Sequence, residues 1–165
     1  MGEAMLRILK ILLVLLIGLH ALIYAVQNVA NLGPAHAALG YVLSSQGHEV
    51  YPNSMFFSVT SPTLHWCALW LVILGESAVG VFGIKGAWDM LLVRKDSPEQ
   101  FHAAKTNGVI AAALALLVWF GFFMTFGAAF FQMWQTELGS GSMQGAFMYS
   151  MASAITMMFV YSTAD

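Results

Sequence analysis

Glu76 is the residue of this chain best placed to do chemistry, because it lies in the middle of an apolar run with Gly75, Ser77 and Gly80 around it. A carboxylate in hydrocarbon costs about 2.5–3.5 kcal/mol on insertion scales, and more if isolated, unless it is protonated or paired. His20, on an earlier apolar run, comes within about one helical turn of the same depth when rise is counted from the helix ends. A Glu76–His20 hydrogen bond, with Ser77 beside it, is therefore within reach. Such a pair serves either as a proton-relay or ligand site, or as a buried polar clasp that orders the helices. The clasp asks for less, since a relay needs a chain of titratable groups and the sequence supplies two.

The other histidines raise haem or metal binding. His65 belongs at the outer end of its helix and His20 deeper in its own, which suits bis-axial ligation poorly; His36 and His48 fall on a loop, and His102 at the opposite side. No pair has the His-x-x-x-His or Glu-x-x-His spacing of a helical metal site. The expectation is no metal and no cofactor, with haem b, quinone or pigment as the alternative. No Ser, His and Asp set, paired carboxylates or phosphate-binding glycine loop can be assembled, so an enzyme is not expected. The single cysteine, Cys67, cannot form an internal disulfide and reads as a small apolar packing residue.

The elements that must hold these residues are membrane spans. The 165 residues are 59% hydrophobic and 8% charged, with a mean hydropathy of +0.76, so the chain lacks the polar surface of a soluble domain. Its net charge of −2 excludes a nucleic-acid footprint, which needs clustered cations. The six basic residues are Arg7, Lys10, Lys85, Arg94, Lys95 and Lys105, and all fall at one end of the four apolar segments. By the positive-inside rule both termini are then cytoplasmic. The basic start, the run Ile11 to Val26 and the small residues Ala35 and Ala37 imitate a signal peptide, but the stretch before any cleavage site is long, and a retained first span is expected.

An all-α, four-span transmembrane bundle is predicted as one domain, 1–165, with spans at about 5–31, 62–93, 98–134 and 143–162 and a long outer loop, 33–61, between the first two. Ala35 to Leu43 has the spacing of a short interfacial helix. Ser61-Pro62 and Ser97-Pro98 with Gln100 are helix starts, and residues 139–142 are expected to form a tight turn. In the last span Ala146, Ser150, Ser153 and Ala154 share a face suited to packing on a neighbouring helix. Met148 and Met151 belong to a methionine-rich surface that could dock a partner, while Trp66, Trp134 and Tyr51 read as anchors in an outer aromatic belt.

Tyr41-Val42-Leu43-Ser44, Tyr51-Pro52-Asn53, Thr60-Ser61-Pro62 with Leu64-His65, Glu76, Phe101 with Ala104-Lys105, Met133-Trp134-Gln135 and Ala146-Phe147 occur in order. Together they resemble the bacterial predicted small integral membrane proteins called DUF2165. The resemblance implies the same four-span fold in a bacterial inner membrane and no established activity. Where that family looks like Gly-Gly-Glu-Trp-Phe this chain has Gly127-Ala128-Ala129-Phe130-Phe131, and Met148 replaces an arginine; Phe57 stands where a Trp-Arg pair would put another. An acid and a base are thus absent together, which avoids stranding one charge.

Missing chemistry and apolar replacements point to a non-catalytic accessory subunit, surrounded by lipid and packed against other subunits of a larger inner-membrane complex, respiratory or photosynthetic. The alternative is a small transporter or ligand-binding protein centred on Glu76 and His20.

Overall fold

The computed structural model describes residues 2–165, and every regular element among them is helical. α1 (Gly2–Ala30) is followed, after one residue at Asn31, by α2 (Leu32–Leu43). α3 (Pro62–Leu92), α4 (Pro98–Ala104) and α5 (Thr106–Leu116) come next. α5 runs directly into a π-helical segment, Leu117–Phe130, and a 3-10 turn, Met133–Gln135, leads to α6 (Glu137–Ser162). Four helical stretches are long and apolar enough to cross a bilayer: Gly2–Ala30, Pro62–Leu92, Pro98–Phe130 and Glu137–Ser162, with mean hydropathies of 2.4, 2.0, 2.4 and 1.2. The predicted all-α, four-span architecture is the one the chain adopts.

Local chemistry sets where these helices begin and end. At Ser97 the expected capping box is complete: the Ser97 hydroxyl accepts from Gln100 N, and Gln100 Oε1 accepts from Ser97 N at 3.3 Å. Ser61 differs, since its hydroxyl makes no cap bond; Pro62 at the first helical position simply removes one orphan donor. The tight turn expected at 139–142 is absent. Those residues form the first turns of α6, because Thr136 caps the helix earlier by accepting from Gly139 N at 3.1 Å, with Glu137 favourably placed in the first turn. The third span likewise stops at Phe130 rather than near Trp134, where Gln132 enters the left-handed region at φ 52° and breaks the hydrogen-bond ladder.

The helices form an up-down bundle in which α1 packs most intimately on α3, α3 on α5, and α6 on α5 and the π-helical segment. Gly18 and Gly83 meet backbone to backbone: a Cβ on Gly18 would lie 2.9 Å from Ile84 N. Gly86, one turn further along α3, abuts Gly108 of α5 in the same way. These contacts close the bundle around two apolar layers, one containing Ile17, Val79, Val118 and Trp119 and the other Val14, Met90, Phe101 and Val160. Ala146, Ser150 and Ser153 are buried and Ala154 half-buried, so the small-residue face of α6 is spent inside the bundle. Met148 and Met151 are exposed on a different face, and the two groups do not make one docking surface.

All six basic residues lie at one end, but three are buried rather than left among headgroups. Lys10 is 0% exposed and Lys105 1%. Their ammonium groups both reach Asp165, at 2.6 Å and 2.7 Å, and Arg7 donates to the Arg94 and Asp96 carbonyls. Lys85 and Asp89, one helical turn apart, form an ion pair at 2.7 Å, and Asn107 donates to the same carboxylate. Burial alone would raise the Asp165 carboxyl, but the hydrogen bonds and charges of Lys10 and Lys105 outweigh it and hold the group below its ordinary 3.8. A carboxyl depressed in the folded state stabilises above its unfolded value and stops doing so as pH falls through the folded one. The melting-midpoint difference between wild type and Asp165→Asn should therefore be full above about pH 5 and shrink below about pH 4. Scanning calorimetry of the two proteins in one detergent reads this directly.

Candidate functional site

His20, Tyr24 and Asn28 succeed one another at four-residue spacing and so share one face of α1. Glu76, 1% exposed on α3, accepts a hydrogen bond from Asn28 Nδ2 at 2.9 Å. The partner predicted for it, His20, is elsewhere. Its ring packs among Tyr24, Trp119 and Tyr149, with centroids 5.0, 5.4 and 4.4 Å away. His20 Nε2 is buried without a hydrogen bond, and the Tyr24 and Tyr149 hydroxyls bond to each other beside it. The reason is register. Gly18 faces Gly83 and Leu22 faces Gly80, so α3 starts roughly two turns farther out than α1 ends, and counting from the ends misplaces Glu76 against α1. Ser77 is half-buried and makes no hydrogen bond to Glu76.

Asn28 also borders a cavity of about 450 Å³ at the end of the bundle opposite the basic residues. α2 supplies one wall with Ala38, Leu39 and Val42, and α3 another with Leu69 and Val72. The π-helical segment supplies Phe122, Phe123 and Phe126. Its wide turns are held by main-chain i to i+5 bonds, Phe131 N to Phe126 O at 2.8 Å among them, and the Thr125 hydroxyl adds a side-chain bond to Phe120 O at 3.1 Å. Such geometry is uncommon and concentrates at functional sites. Asn28 and Ser142 are the only polar residues in the lining. With Asn28 Nδ2 bonded to Glu76, its Oδ1 is the acceptor left for a ligand.

The long loop holds this end together. Val59 N donates to Leu43 O at 2.8 Å, and His65 Nε2 pairs with Val59 O at 2.8 Å. Tyr51 N donates to Gln135 Oε1 at 2.7 Å and its ring meets Trp134 edge-on, while Trp66 stacks on His36. Of the three expected anchors, Tyr51 and Trp134 thus pack on each other, and Trp66 packs on α2. Among the described residues no three His, Cys, Asp or Glu side chains group as metal ligands.

A family model described as a predicted small integral membrane protein matches residues 6–163. The chain belongs to the DUF2165 family. No curated protein matches it, and no solved structure does. In this DUF2165 protein Phe57 and Phe130, two positions read as departures from the family pattern, pack on each other with centroids 5.5 Å apart, and Phe56 stacks on Phe130 at 4.2 Å. Ala129 and Met148 are exposed. The family name covers an integral membrane protein of unknown function, and the four spans place this DUF2165 member in a lipid bilayer. Sequence reasoning missed Tyr24, Asn28, Tyr149 and Ser142. The four-residue spacing from His20 carried the signal for the first two.

Proposed function

We propose that this protein is a non-catalytic membrane protein that holds a lipophilic amphiphile in the cavity beneath α2, with the ligand's small polar head on Asn28 and Ser142. The observation that carries the reading is the cavity itself: about 450 Å³ with two polar residues among eighteen. That size and balance suit a bound small molecule, where apolar area supplies affinity and a few polar groups fix orientation. An isoprenoid quinone or a single-chain lipid has the right chemistry. Glu76 then serves to orient Asn28 rather than to carry protons. The positive-inside bias supports a bacterial inner-membrane orientation with both chain ends at the cytoplasmic face and the cavity in the opposite leaflet.

Ala38→Trp tests it. An indole in place of the Ala38 methyl should occupy much of the cavity, so lipid extracts of the purified variant should contain at least about tenfold less bound amphiphile than wild type, with unchanged helicity. Equal extracts from both, or no retained small molecule in wild type, would sink the idea.

A second reading, an accessory subunit of a larger membrane assembly, is favoured by α6. It is the least hydrophobic span, at 1.2, and also the least covered, with 22% of its apolar window buried. Lipid alone selects the opposite combination, whereas a protein neighbour would accept the exposed Met148, Met151 and Met158. Gentle affinity purification from native membranes, with mass spectrometry of what accompanies the protein, decides between a stoichiometric companion and a lone species.

A further inference from the structure

The buried cations at the basic end are more numerous than the anions that answer them. Lys10, Lys105 and Arg7 are all at least nine-tenths buried, and the one acidic side chain reaching them is Asp165. Lys10 Nζ spends its other donors on the Thr163 and Ala164 carbonyls at 2.6 and 3.0 Å, so the residues after α6 wrap over the pair as a short strap. Arg7 bonds two carbonyls with one terminal nitrogen, and its Nε is buried with no acceptor at all. Arg7 and Lys105 lie over the same Phe101 ring, 4.9 and 5.8 Å from its centroid. Buried charge without a counter-charge is costly, and a guanidinium nitrogen without an acceptor adds to that cost.

We propose that Lys10, Lys105 and Arg7 form an anion site in which the Asp165 carboxylate is a tethered occupant, and that a phosphate group is the ligand that takes its place. A phosphate offers more oxygens than a carboxylate, enough to satisfy two ammonium groups and the idle Arg7 nitrogen together. The route in is open. Lys105 borders a cavity of about 350 Å³ shared with His102, Thr106 and Tyr161, and His102 stands half-exposed at its rim with Nδ1 3.6 Å from the Asp165 carboxylate. The site lies at the end of the bundle where lipid phosphates gather, so the phosphate is carried either by an anionic lipid headgroup entering sideways or by a soluble phosphoryl compound entering from water.

The test uses the full chain, Asp165→Asn, and a chain ending at Ser162, each in phosphatidylcholine nanodiscs. Removing the carboxylate strands two cations, so both altered proteins should melt about 10 °C below wild type. Phosphatidylglycerol in the disc, or inorganic phosphate in the buffer, should restore at least half of that loss while moving wild type little. Recovery with phosphatidylglycerol alone assigns the site to lipid, and recovery with inorganic phosphate in neutral discs assigns it to a soluble ligand. Should an altered protein not fold in neutral lipid, recovery of folded protein with the anion is the same readout. Adding Lys105→Gln to Asp165→Asn should abolish the recovery, whereas adding Lys95→Gln, on the exposed link before α4, should not. Failure of both anions to restore either altered protein, or an equal gain by wild type, overturns the proposal.

Discussion

Gly83→Leu should leave almost no folded protein in the membrane. A Cβ at this position would sit 2.8 Å from Gly18 N and 3.4 Å from the Val14 carbonyl, both main-chain atoms of α1 that no rotamer change can move. The helices would have to separate, and the layers around Val14 and Ile17 would open with them. Overpacking a core costs about 1–3 kcal/mol when side chains can adjust; with backbone on both sides the cost should exceed about 3 kcal/mol, a large share of a total of about 5–15. Size-exclusion of detergent extracts should show at least a tenfold drop in monodisperse protein. Gly121→Leu is the matched control, since a Cβ there meets nothing within 4 Å, and it should stay within about 0.5 kcal/mol of wild type.

The second large effect lies at the Asn28–Glu76 pair. Asn28→Leu removes the one hydrogen bond Glu76 makes among the described residues and leaves the carboxyl buried without a partner. That should cost about 2–3 kcal/mol, within the range for a stranded buried polar group. Glu76→Gln keeps an acceptor for Asn28 Nδ2 and should cost less than about 1 kcal/mol. The double variant Asn28→Leu with Glu76→Leu should recover most of the loss, because replacing both partners by apolar groups is often neutral or stabilising. A coupling energy near zero in that cycle would show that the two side chains do not act as a unit. The same double variant separates stability from binding, since it should fold well and still lose the polar head contact in the cavity.

What the sequence made legible was whatever one helix can express by itself. Hydropathy and the clustering of basic residues marked four spans; Ser97, Pro98 and Gln100 announced the start of α4 through a local hydrogen-bond exchange. Glu76 stood out because a carboxyl in an apolar run needs an answer. The identity of that answer was not legible, because the offset between α1 and α3 is set by where Gly18 fits Gly83, a property of two surfaces rather than of either sequence. The burial of Lys10 and Lys105 was hidden for a similar reason: a lysine near a span end reads as headgroup-facing until Asp165 is folded back onto it. The π-helical segment has no mark in composition, since Leu117–Phe130 is as apolar as an ordinary span. The cavity it lines was correspondingly invisible.

The Lys10–Asp165 contact joins residues 155 positions apart, which orders events in time as well as in space. At a synthesis rate of about 5–20 residues per second, Lys10 would wait on the order of 10–30 s for its counter-charge. Until then the Lys10 ammonium lacks the counter-charge that answers it in the folded bundle, and a long cationic side chain near a span end reaches for the headgroups instead. The first helix therefore meets its neighbours before its own charge is answered, and the bundle closes over Lys10 from the opposite end of the chain.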